Sequence, residues 1–237
     1  MIMAISTKTK RNLFGINALS AWLGFGMTFL IELFGLVKTP KYGDAPVTSL
    51  FGHFGDYADG LAGAPERLID LFGYFTVWSQ IAVGIVMTLL YLNPTRDGKL
   101  FRVFRVDTVL MITVTGVVYN LLLGPNFPPQ GLNQISSPIQ HTITPIITVL
   151  IFIIAGPRGW FNLKNILAAL VLPIVYVFYT LFRGAIIDKY PYDFFDVVVN
   201  GYANVIIFVL GILFASIIVA VFYWGIDKAL TKKPTST

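Results

Sequence analysis

The sequence predicts an all-α, polytopic membrane protein with six transmembrane helices and both termini in the cytoplasm. Three observations predict it. Of the 237 residues, 56% are hydrophobic and only 12% are charged, with a mean hydropathy of +0.74. A water-soluble domain of this size needs a far more charged surface. Six segments then reach the roughly 20 mostly apolar residues that a helix needs to cross a bilayer. Finally, lysine and arginine alternate between the connecting loops as a six-helix topology requires.

The six segments are 13–37, 70–92, 106–124, 137–156, 165–187 and 201–226, read as one domain spanning 1–237. None shows the strict alternation of barrel strands, so helices must satisfy the backbone in lipid. The first segment follows Lys8, Lys10 and Arg11, but at about 25 residues it is too long for a signal peptide core and reads as helix 1. The N-terminus, the 93–105 and 157–164 loops and the C-terminus together carry twelve basic residues. The other loops carry four: Lys38, Lys41, Arg67 and Lys189. The basic side is the cytoplasmic one, and the expected location is the cell membrane.

The outer connections are distinctive. Residues 38–69 form a long loop with Gly, Pro and acidic residues, of the kind that serves as a lid or binding loop. His53 within it reads as a solvated surface residue. Residues 125–136 carry Pro125, Pro128 and Pro129 but no charge, and 188–200 carry Tyr190-Pro191-Tyr192-Asp193-Phe194-Phe195-Asp196. The tail Lys232–Thr237 reads as disordered.

Several function classes are excluded early. With no cysteine and two histidines, thiolate chemistry and a structural zinc site drop out. No cofactor or metal motif is present. The net charge of +5 follows from the topology and is no signature of nucleic-acid binding.

Polar residues inside the spans carry the functional signal, because ionisable groups at membrane depth are costly and mark function. At 1.5 Å per residue, Thr76 lies roughly 9 Å and His141 roughly 6 Å below the outer ends of their helices. Asn120, Glu32, Arg183 and Asn204 fall near outer ends as well. Thr76 and Gln80 share a helix face, as do Ser137, His141, Thr144 and Thr148. Pro145, four residues after His141, has no N–H for the helical bond and should kink helix 4, freeing the His141 carbonyl for a water or another side chain. Pro173 should do the same for Ala169. Bland alternatives stand beside these. Thr76 is able to bond its own helix, Asn120 and Asn204 to serve as interhelical glue, and Arg183 to snorkel outward or pair with Glu32.

Three blocks carry a resemblance. Tyr74-Phe75-Thr76 with Gln80, His141-Thr142-x-x-Pro145 and Tyr190-Pro191-Tyr192-x-Phe194 resemble the bacterial six-helix membrane proteins called Pr-six-Pr, over about residues 68–226. More distantly they resemble the animal androgen-induced-gene and ADTRP-type transmembrane threonine hydrolases, which cleave fatty-acid esters of hydroxy fatty acids. The resemblance implies Thr76 as nucleophile and His141 as base. The 38–69 loop has no animal counterpart.

The implied chemistry is coherent. A threonine hydroxyl becomes a useful nucleophile when a neighbouring base takes its proton. Asp196, Asp193 and Glu32 are candidates to orient His141, with Asp196 favoured. Asn120, Gln80 and Arg183 are candidates for the oxyanion donor. The expected function is an intramembrane hydrolase or acyl transferase of lipid esters, whose partner is a membrane lipid or acyl ester, with oligomeric state open. The alternatives are a non-catalytic lipid-binding protein and a transporter, the latter opposed by apolar inner helix halves and the lack of an internal repeat.

Overall fold

The computed structural model describes residues 5–37, 55 and 57–231. The proposed lid is therefore described only in part. His53 and the tail 232–237 lie outside the described residues.

Every regular element among the described residues is helical. In chain order these are α1 (Thr7–Phe34), a short α2 (Ala64–Leu71), α3 (Phe75–Leu92), α4 (Lys99–Leu123), α5 (Asn133–Ala155), α6 (Leu163–Ile187) and α7 (Val197–Thr231). All but α2 are long and apolar enough to cross a membrane, so this is an all-α, multi-pass membrane protein.

Helix ends differ from the expected ones for local reasons. α1 begins at Thr7 because Ser6 caps it, its side chain accepting from the Thr9 N–H at 3.1 Å. It ends at Gly35, whose φ of 60° lets its N–H turn back to the Ile31 carbonyl. α4 begins seven residues before the expected 106. Arg102 there folds back on Asp97, with Nε donating to Oδ1 at 2.6 Å, and holds the Asp97 carboxyl down at about 2.

Four of the spanning helices deviate from regular geometry, two of them (α5 and α6) beside a proline. α5 carries a π turn at Ile139–Ile143, just before Pro145, and α4 a second one at Tyr119–Leu123. α6 breaks at Leu170 (φ −75°, ψ −10°), three residues before Pro173. α7 breaks at Gly201, where φ is 73°.

Packing centres on α1 against α3. Phe14, Ala18 and Ala21 of α1 bury against Val83, Val86, Met87 and Leu90 of α3, with Ile112 of α4 and Ile151 of α5 completing the cluster. A second cluster joins α4, α5 and α6 to Tyr223 of α7. A third joins Tyr176 to Phe195, Val205 and Val209. The outward faces of α6 and α7 are bare hydrocarbon: Phe182 is 66% exposed and Phe214 is 65% exposed. In water such faces would be a liability; in lipid they are the solvent contact.

Candidate functional site

Thr76 and His141 meet. The Thr76 hydroxyl lies 3.1 Å from His141 Nε2, bridging the first turn of α3 and the π turn of α5. The other ring nitrogen, Nδ1, stands 2.9 Å from the Ser137 carbonyl oxygen and 3.0 Å from the Ser137 hydroxyl. A carbonyl only accepts, so Nδ1 carries the proton and Nε2 presents its lone pair to Thr76. The tautomer is inferred from these partners.

Three further contacts lock the imidazole. Tyr119 stacks on it, with ring centroids 3.6 Å apart and planes 12° apart. Ser137 donates its hydroxyl hydrogen to the Tyr119 oxygen at 2.7 Å. The His141 carbonyl, whose i+4 residue Pro145 has no N–H to offer, accepts from Asn120 Nδ2 at 2.8 Å. The same Asn120 nitrogen donates to the Gly116 carbonyl at 2.8 Å. The paired π turns of α4 and α5 thus face one another across this contact, a placement common at functional sites.

Thr76 also sits at a helix N-terminus, where the first N–H groups have no intrahelical acceptor. The Phe75 N–H donates to the Tyr192 hydroxyl oxygen at 3.0 Å, and that hydroxyl lies against Thr76 as well. Burial pushes the Tyr192 phenol up from its ordinary value, although the hydrogen bonds from Thr76 and Phe75 oppose the shift. At neutral pH it is a neutral O–H and a donor.

One cavity adjoins Thr76, and a second lies beside Tyr119 and Ser137. The first is an apolar slot between α4, α6 and α7. Its cavity volume is about 80 Å³. Thr76, Tyr119 and Tyr192 stand at one end, and Leu110, Ala169 and Ser216 also line it. The break in α6 places Leu170 and Pro173 in its wall. The second cavity, about 340 Å³, is lined by Tyr119, Asn120, Ser137 and Thr142 with Pro125 and Pro129. Tyr119 forms a wall of both.

The other sequence-predicted residues take different places. Gln80 is fully buried and donates to the Gln140 carbonyl at 2.6 Å, and Gln140 in turn donates to Thr28 at 2.5 Å. It ties α3 to α5 beside the site. Arg183 does not pair with Glu32. It donates to Asp70, and both side chains are almost wholly buried. Asp70 also accepts from the Tyr57 hydroxyl at 2.5 Å. Glu32 lies near Arg67 and Asp70, while Arg67 Nε donates to the Glu32 carbonyl at 2.5 Å. These residues form a separate charged cluster under α2.

Asp196, the favoured orienting group, caps α7 instead: its Oδ1 accepts from the Val198 and Val199 N–H groups at 2.8 and 3.0 Å. Asp193 belongs to the turn before that cap, where its carbonyl accepts from Asn200. Asn204 is exposed and donates to the Asn200 carbonyl one turn back. The position expected of a carboxylate beside His141 is taken by the Ser137 carbonyl.

Tyr119, the Ser137 carbonyl and the Tyr192 hydroxyl were not singled out as site groups from the sequence. Ser137 lay on the polar stripe of His141 and Tyr192 in one of the three motif blocks, which were the available signals. Tyr119, next to Asn120, had none. Among the described residues no group of three or more His, Cys, Asp or Glu side chains could hold a metal. Comparison with models of protein families, with curated proteins and with solved structures yields no match.

Proposed function

We propose that the protein is an intramembrane hydrolase, or acyl transferase, of lipid esters, with Thr76 as nucleophile and His141 as general base. One observation carries this: a threonine hydroxyl hydrogen-bonded at 3.1 Å to an imidazole held in the base tautomer, at the end of an apolar slot. A lipid-binding protein without turnover has no need of that bond, and Thr76 would be free to return its hydroxyl to its own helix.

The steps follow from the atoms present. Thr76 Oγ attacks the ester carbonyl carbon as His141 Nε2 takes its proton. The Tyr192 O–H donates to the developing oxyanion. The Ser137 carbonyl stabilises the imidazolium through Nδ1–H. The C–O bond to the alcohol then breaks, Nε2 returns the proton to the leaving alkoxide, and an acyl-threonine remains. Water, or a second alcohol in the transferase case, attacks the acyl-threonine as His141 Nε2 takes its proton; the acyl C–Oγ bond then breaks, Nε2 returns the proton to Thr76 Oγ, and the acid or new ester leaves. From Leu110 to Tyr119 the slot wall runs about 14 Å along α4. That length holds an extended chain of roughly ten carbons, taking C–C bonds of about 1.5 Å in a zigzag. The positive-inside rule puts the pair toward the outer leaflet of the cell membrane.

The test is hydrolysis of an acyl p-nitrophenyl ester and of a branched fatty-acid ester by the purified chain, beside Thr76→Ala and His141→Ala. Turnover by the wild type, with both variants folded and inactive, and fluorophosphonate labelling at Thr76, is the expected result. Equal behaviour of all three proteins would overturn the proposal and leave a lipid-binding protein.

A further inference from the structure

Resting on the hydrolase reading, we infer that the apolar slot is closed at the end remote from Thr76, and that its floor of Leu110, Ala169 and Ser216 restricts the acyl half of the ester to a medium chain of about six to ten carbons.

The position of the floor follows from the helices. Thr76 lines the slot, so an acyl group carried on its Oγ begins inside it. On α4 the lining runs from Tyr119, beside Thr76, down to Leu110. On α6 it runs from Val177 to Ala169, and on α7 from Val209 to Ser216. Leu110, Ala169 and Ser216 are therefore the last lining residues of their helices, and all are buried. One turn further on the same helix faces come Val106, Ile166 and Ala220. These pack into one core cluster that also contains Leu110 and Ala169. Val106 and Ala220 have no exposed surface, and Ile166 has 3%. A close-packed interior of this kind admits extra methylenes only by distortion, so the slot ends there.

The chemistry of the floor suits a methyl terminus. Leu110 and Ala169 are apolar, and Ser216 spends its hydroxyl hydrogen on the Ile212 carbonyl of its own helix at 2.8 Å. Two measures then set the length. The wall of about 14 Å along α4 matches roughly ten carbons in a zigzag. The cavity volume of about 80 Å³, at about 10–15 Å³ of free space per water-sized group, takes roughly five to eight such groups. A methylene is close to water in size, and the acyl carbonyl carbon at Thr76 adds one more. Ala169 and Ser216 have small side chains, so the depth of the slot depends on atoms these positions lack.

The experiment measures kcat/KM of the full chain in detergent for p-nitrophenyl esters of butyric, octanoic, decanoic, dodecanoic and palmitic acids. Wild type, Ser216→Leu and Leu110→Ala are compared, with thermal unfolding of each. Reading each variant against the wild type cancels the partition of the esters into micelles. The wild type should be fastest on the octanoyl and decanoyl esters and about tenfold or more slower on the palmitoyl ester. Ser216→Leu raises the floor and should lower the decanoyl-to-butyryl ratio about tenfold. Leu110→Ala deepens it and should raise the dodecanoyl-to-octanoyl ratio by about the same factor. A general loss of stability would lower all the esters together and cannot give opposite shifts. If one variant fails to fold, the wild-type profile and the other variant still decide. Palmitoyl turnover equal to octanoyl turnover in the wild type, or folded variants with the wild-type profile, overturns the inference while Thr76-dependent turnover keeps the hydrolase reading. Absence of Thr76-dependent turnover on every ester overturns both.

Discussion

Gly116 sits where α4 crosses α5 directly beneath His141, so an added methyl group should act on the catalytic distance. A Cβ at this position would lie 2.9 Å from Pro145 Cβ, 3.2 Å from Pro145 Cγ and 3.3 Å from the His141 carbonyl oxygen. These are ring and backbone atoms with no rotamer to escape into. Carbon atoms need about 3.5–4.0 Å, so the two helices must part by roughly 0.5–1 Å. The Thr76–His141 distance of 3.1 Å then passes the limit of about 3.2 Å for a good hydrogen bond. Overpacking of this kind costs about 1–3 kcal/mol, which lowers Tm by about 2–4 °C per kcal/mol in a chain of this length. A misplacement near 1 Å lowers turnover by about 100-fold. The assay pairs Thr76-dependent ester hydrolysis with thermal unfolding in detergent, for Gly116→Ala and for Gly211→Ala. A Cβ at Gly211 meets nothing within 4 Å, so that control should keep its rate and gain about 0.5–1 kcal/mol from the lost glycine flexibility. Wild-type kcat and Tm in Gly116→Ala would refute the reasoning that close α4–α5 contact sets the position of His141.

Two more outcomes follow from the geometry. Asp70→Asn removes the carboxylate beside the buried Arg183 guanidinium and should cost about 3–5 kcal/mol, read as thermal unfolding, while Asp70→Asn with Arg183→Met should recover much of the loss; a single variant as stable as the wild type would count against this account. Tyr192→Phe removes the O–H beside Thr76 and should lower kcat by about 10²–10³-fold, with KM changed far less; a kcat within threefold of wild type would remove Tyr192 from the oxyanion role.

The helix count and class were legible because they depend on local quantities, namely apolar run length and the side on which lysine and arginine fall. Depth was legible for the same reason: rise per residue placed Thr76 and His141 at one level, and the structure brings their side chains to 3.1 Å. Pro145 also acted locally, freeing a carbonyl that Asn120 then takes. Partner choice was another matter. Asp196 looked able to reach His141 along the chain, yet the free N–H groups at the start of α7 hold its carboxylate. Glu32 and Asp70 were both available to Arg183, and the docking of α2 brought Asp70 to it.

By itself, then, the sequence determined that this chain has six helices long and apolar enough to cross a membrane, because lipid demands internally bonded backbone and apolar length, both properties of contiguous residues. Only the tertiary structure decided which groups touch. Rotation of each helix about its axis, the π turns of α4 and α5 and the break in α6 are outcomes of packing between distant segments. They set His141 between the Ser137 carbonyl, the Tyr119 ring and the Thr76 hydroxyl, and they opened one cavity on either side of Tyr119.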